Sequence, residues 1–168
     1  MPTLIHLADE RDSKKIFKAG ITIGKGRNGV YCMPVLQNFY VSHQWLRELK
    51  RCGTKIFVAV YFKIPSDEMV YAGKYWKQHK HVALGIAIKK IMIMDDPLGF
   101  ELIIPRKIKP KEIIKLKSLP QTTGWRYKPG SHGSKPCPCD FCQKGKIKGS
   151  KTKHRIEMED KNLELSTS

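Results

Sequence analysis

Three side chains capable of chemistry sit inside apolar, strand-like stretches far apart in the chain. They are His6 in Leu4-Ile5-His6-Leu7, Tyr31 in Gly29-Val30-Tyr31-Cys32, and Glu101 in Phe100-Glu101-Leu102-Ile103-Ile104. A neutral imidazole can hydrogen-bond a sugar hydroxyl. A phenol ring offers a flat face on which a heteroaromatic ring can stack. A carboxylate flanked by Phe and Ile either points away from the core or is held inside for a purpose. Two such purposes are bonding a sugar hydroxyl and stabilising positive charge that develops at an anomeric carbon. Each residue also has a plainer reading: a satisfied core histidine, a core strand tyrosine and an exposed edge carboxylate.

The elements around them mix strands and helices without a regular strand-helix-strand repeat, which predicts an α+β domain rather than a doubly wound sheet. Strands are expected at residues 3–7, 30–33, 55–64, 69–75 and 100–104. The third is apolar on both faces (Ile56, Val58, Val60 and Phe62 against Phe57, Ala59 and Tyr61), as in a strand buried on both sides. A first helix carries Ile16 and Phe17, with Asp12 or Ser13 as cap and Gly20 as stop. A second is expected over residues 39–51, where Val41, Trp45 and Leu49 form one stripe. A third is expected over 82–94, ended by Asp95-Asp96-Pro97, and a short fourth begins at Pro110 with Ile113, Ile114 and Leu116 inward.

Thirty-two Lys and Arg against 15 Asp and Glu give a net charge of +17, which draws a chain toward polyanions, DNA or RNA first. No stretch approaches the roughly 20 apolar residues of a membrane span, and the start lacks a signal-peptide pattern. No membrane association is expected, and cytoplasm is the default compartment. Five cysteines, an odd number, argue against a disulfide framework.

The order of His6, Tyr31 and Glu101 resembles the active-site signature of the NAD-using ADP-ribosyltransferase superfamily. Ile5-His6, followed by Lys14-Lys15-Ile16-Phe17-Lys18-Ala19-Gly20-Ile21, is similar to the opening of that domain. Gly29-Val30-Tyr31-Cys32 is similar to its second strand. Phe100-Glu101-Leu102-Ile103-Ile104-Pro105 with Ile108-Lys109-Pro110-Lys111-Glu112-Ile113 is similar to its closure.

The resemblance implies a split mixed or antiparallel sheet with flanking helices over residues 1–120. It implies NAD as co-substrate, with His6 on its ribose, Tyr31 stacked on nicotinamide and Glu101 as the catalytic carboxylate. Arg11 is a candidate for an NAD phosphate. Tyr40, Ser42 and His43, in the polar and aromatic segment 38–45, are candidates for the wall of the nucleotide site. Gly99 stands where a paired Glu-x-Glu would put its first acid. That departure turns the resemblance from arginine-specific protein modification toward nucleic-acid-modifying members. Among these are the DNA-modifying toxins of toxin–antitoxin pairs, so an antitoxin or immunity partner is a further expectation. The alternative is a non-enzymatic nucleic-acid-binding protein.

Two further patterns carry chemistry of their own. Cys137, Cys139 and Cys142 are spaced to converge on one zinc ion, with His132 the best fourth ligand and His154 second. This predicts a small zinc-binding appendage over residues 121–145, followed by a basic tail over 146–168. Cys32 and Cys52 read as ordinary buried thiols. Gly24-Lys25-Gly26-Arg27-Asn28-Gly29 matches a dinucleotide-binding fingerprint letter for letter. A strand rather than a helix follows it, so it reads as a flexible basic turn.

Overall fold

The computed structural model describes residues 1–50, 53–75, 77–121 and 123–124. Cys52, the cysteine cluster with His132, His154, and the basic tail lie outside the described residues. The described chain is α+β, built on an open sheet of seven strands. These are β1 (Thr3–Asp9), β2 (Val30–Pro34), β3 (Phe57–Lys63), β4 (Met69–Lys74), β5 (Lys80–Ala83), β6 (Phe100–Ile104) and β7 (Ile113–Ser118). Their order is β5-β4-β6-β2-β1-β3-β7, and every ladder between them is antiparallel.

The pairing is uneven. β1 and β3 pair along their whole length, from Thr3↔Lys63 to Asp9↔Phe57. β1 and β2 are paired only at Leu4↔Pro34 and Ile5↔Met33. The sheet is thus two halves, β1-β3-β7 and β5-β4-β6-β2, joined by a short seam just before His6.

Side chains alternate between the faces of a sheet. Leu4 and Ala8 of β1, Val58, Val60 and Phe62 of β3, Val30 and Cys32 of β2, and Phe100, Leu102 and Ile104 of β6 build the larger core on one face. Helix α1 (Ser13–Ala19) adds Ile16 to it, and α4 (Leu84–Ile93) adds Leu84, Ala87 and Ile91. On the opposite face a smaller cluster joins Ile5, Phe57 and Ala59 to Leu46 of a short helix, α3 (Leu46–Leu49). β3 therefore has both faces buried, as its apolar run implies.

Four expectations change. The helix expected over residues 39–51 is two short ones, α2 (Phe39–Ser42) and α3. Between them the buried Gln44 amide bonds Val41 O and Pro97 O, and the Trp45 indole bonds Phe100 O, so side chains hold the segment in a broken path. The helix expected from residue 82 starts at Leu84, because Val82 pairs with Val70 in the edge strand β5. The segment after Pro110 is a single 3-10 turn (Pro110–Glu112) leading into β7. A bulge opposite Tyr61 and Phe62 lets Ile113 and Leu116 pack on the core while Ile114 stays exposed, so the helical spacing of these residues is a bulged strand. Phe17 is also exposed, and only Ile16 of α1 is buried.

An Arg106 guanidinium clasps the underside of the β6 end. It donates to Glu68 at 2.7 and 2.8 Å and to Glu112 at 2.7 and 2.9 Å, tying the β3–β4 turn to the turn that precedes β7. At the other side of β6, Gly29 lets β2 approach closely: a Cβ there would lie 2.2 Å from the Ile104 carbonyl oxygen. The last glycine of the fingerprint-like run thus serves strand packing, not a phosphate. Gly29→Ala should destabilise the fold by about 1–3 kcal/mol, read as a lowered denaturation midpoint. An unchanged midpoint would show that β2 and β6 can separate without cost.

Candidate active site

Alternation decides which of the three signature residues share a face. Tyr31 stands opposite Ile103, and Glu101 lies two residues from Ile103 on β6, so the two side chains emerge on the same side of the sheet. This is the side on which α3 packs. His6 belongs to the Leu4 and Ala8 side of β1, the side of the larger core. It reaches the β2 neighbourhood across the end of the seam, where its Nδ1 donates to the Tyr31 carbonyl at 2.8 Å. His6 and Tyr31 thus meet through ring and backbone, not through two facing side chains. Because a carbonyl accepts, Nδ1 carries the proton and Nε2 is the acceptor. Burial lowers the His6 pKa, which keeps the ring neutral at physiological pH.

Glu101 is a carboxyl group largely withdrawn from water. Burial pushes its pKa up to about 7, against a weaker opposing pull from the Arg27 charge. Its Oε2 lies 2.9 Å from His79 Nε2, and both side chains are less than a fifth exposed. His79 is lowered by burial, so the imidazole is neutral. Near neutral pH one proton is held between the two groups. Below the carboxyl pKa the Glu101 O–H donates to Nε2, and above it the Nε2–H tautomer donates to the carboxylate.

The partner of Glu101 across the β4 ladder is Gly73. A Cβ on Gly73 would lie 3.2 Å from His79 Cα, so the missing side chain makes room for the turn after β4 to fold over the sheet face. Sequence reasoning missed His79, because its role depends on an absent methyl group six residues earlier.

The strand that carries Glu101 is fixed at its entry from two sides. Gln44 bridges Pro97 O and Gly99 N at 3.2 and 2.6 Å, and Trp45 holds Phe100 O at 2.9 Å. From the opposite side Lys74 Nζ bonds the carbonyls of Asp96 and Leu98, while Tyr75 N bonds Gly99 O at 2.9 Å. The Tyr75 ring meets Trp45 edge-on, at 5.6 Å between centroids. Burial, and to a lesser degree the charges of Glu48 and Glu101, raises the Tyr75 pKa. Arg27 lies 5.4 Å above the Tyr31 ring and also acts on Glu101, so it joins the two signature residues.

The other expected binding residues are more occupied. Arg11 is exposed and forks onto Asp9, at 2.7 Å for the shortest contact, and this holds the Asp9 pKa at about 2. A phosphate there would compete with an existing ion pair. The Ser42 hydroxyl accepts from Leu36 N and donates to Asn38 O. Tyr40 is half-buried, and burial pushes its phenol up to about 12. His43 is buried, stacks on Phe39 and donates from Nδ1 to Phe39 O, while its Nε2 has no hydrogen-bond partner among the described residues. Cys32 is a buried thiol with its pKa raised by burial, as expected of a packing residue. Among the described residues no three His, Cys, Asp or Glu side chains gather as a metal site.

Comparison with protein-family models, with curated proteins and with solved structures returned no match.

The raised Glu101 pKa has a thermodynamic consequence. The folded chain binds the carboxyl proton more tightly than the unfolded chain between the ordinary value of 4.5 and about 7, so stability falls as pH rises through that window. Glu101→Gln should remove this slope, raising stability at pH ~8 by about 2 kcal/mol relative to its effect at pH ~4. Parallel stability–pH curves for variant and native chain would refute the burial of this charge.

Proposed function

We propose that this chain is an NAD-dependent ADP-ribosyltransferase that modifies nucleic acid, of toxin or defence-effector type. The observation that carries the reading is the desolvated Glu101 carboxyl on the same sheet face as Tyr31, beside a seam bridged by His6. A sheet that parts after two residue pairs supports the split-sheet architecture of the resemblance. The net charge of +17 supports a polyanionic acceptor.

NAD, when bound, supplies an ADP-ribosyl group whose bond to nicotinamide breaks with the electron pair leaving on the ring. Glu101 and Tyr31, which share one face of the sheet, are the residues that fit such a group. Ionised Glu101 can accept from a ribose hydroxyl and stabilise the positive charge that grows at the anomeric carbon. His79 orients that carboxylate from behind. His6 lies on the other face of the sheet, so its part is to hold β1 against β2 through the Tyr31 carbonyl beneath that face. Tyr31 offers a stacking face, and a nicotinamide ring either takes the side away from Arg27 or displaces an exposed guanidinium. Arg27 is then positioned to contact a phosphate.

Labelled ADP-ribose should pass from NAD to DNA or RNA, and Glu101→Ala should lower the rate at least about a hundredfold. Because the ionised carboxylate is the working form, the rate should climb with pH and reach half its plateau at about 7. Native-like transfer by Glu101→Ala would remove this carboxylate from the reaction.

The charge equally suits a non-enzymatic nucleic-acid-binding protein, which would show steep salt dependence and no affinity for NAD. Calorimetric titration with NAD separates the two. A structural zinc ion on Cys137, Cys139, Cys142 and His132 belongs to either reading and rests on their spacing. Metal analysis of the full chain should find one zinc per molecule, lost in Cys139→Ser. A metal-free native chain would end that part of the proposal.

A further inference from the structure

We infer that the exposed Tyr71–His81 pair on the outer half of the sheet is a stacking platform for single-stranded nucleic acid, feeding an unpaired base toward Glu101. This deepens the transferase reading by naming its acceptor class and rests on that reading for the reaction itself.

The register places the pair. Tyr71 of β4 stands opposite His81 of β5 on one side and Ile103 of β6 on the other, and Ile103 stands opposite Tyr31 of β2. One cross-sheet row therefore runs His81, Tyr71, Ile103, Tyr31, all on the face that carries Glu101. The next row along the strands is Gly73 and Glu101. With strands roughly 4.8 Å apart and a rise of about 3.3 Å per residue, the Tyr71 and Glu101 backbones are about 8 Å apart.

The Tyr71 and His81 rings stack on each other at 4.7 Å and 26°. Tyr71 is 38% exposed and His81 is also exposed, so the pair is presented to solvent rather than used as core. Met69, two residues before Tyr71 and also exposed, extends the same apolar strip.

The surroundings select the ligand. Arg27, over the Tyr31 ring at one end of the row, and Lys77, in the β4–β5 turn at the other, are exposed cations. Flat rings among cations suit bases and phosphates together, the combination used for unpaired strands. A duplex hides its base faces in the stack, so this platform reads only single strands.

The test uses the full chain and a fluorescein-labelled single-stranded oligonucleotide, with its duplex as comparison, at physiological salt. The native chain should prefer the single strand. Tyr71→Ala and His81→Ala should each weaken that binding about tenfold, whereas Tyr71→Phe should retain it because stacking needs the ring and not the hydroxyl. Photo-cross-linking of a thiolated strand should label the peptides that contain β4 and β5. Native affinity in both alanine variants, equal binding of duplex, or cross-links confined to other segments would overturn the platform. NAD titration keeps the two proposals apart. Retained NAD binding with strand affinity unmoved at Tyr71 sinks the platform alone. No NAD binding with strand affinity lost at Tyr71 sinks the transferase reading alone.

Discussion

A carboxyl group kept out of water on the face of a sheet is the constraint from which the rest of this site follows. Desolvation raises the Glu101 pKa, and the neutral His79 imidazole accepts a hydrogen bond from the protonated carboxyl or donates one to the ionised form, according to pH. Such a pair survives only if both groups are positioned from outside. Gln44, Trp45, Lys74 and Tyr75 hold the backbone that enters β6, and Gly73 leaves the space in which His79 sits. None of these residues needs to touch a ligand for its loss to disturb the carboxylate. The site is therefore best regarded as one acid with a wide mechanical support.

Much of the fold was legible because buried strands have simple signatures. The runs containing His6, Tyr31 and Glu101, and the two-sided apolar run of β3, are strands for the reasons their patterns suggest. The failures have equally local causes. β5 is short, lies at the sheet edge and carries Lys80 and His81, so no alternation announces it. β7 imitates a helix, because Ile113 and Leu116 are three apart and a bulge brings both to the core. The 39–51 segment has a helical stripe, but its polar side chains bond the backbone and divide it.

For the site, residue types were easier to read than their phase. Nothing local shows whether an inward His and an inward Glu emerge on the same side of a sheet whose register is still unknown. Strand pairing answers this, placing Tyr31 with Glu101 and leaving His6 to reach across through a carbonyl. His79 was invisible for another reason: its importance comes from a glycine that accommodates it.

The join between β1 and β2 carries a mechanical consequence. Two ladder pairs, the Val35 N–Thr3 O bond and the His6–Tyr31 bond tie the halves along that line, whereas β1 and β3 are laced together over seven pairs. Local opening follows the path of fewest hydrogen bonds. Strand separation along this line would therefore be resisted less by the ladder than by the core that Leu4, Val30, Val60 and Leu102 share beneath it.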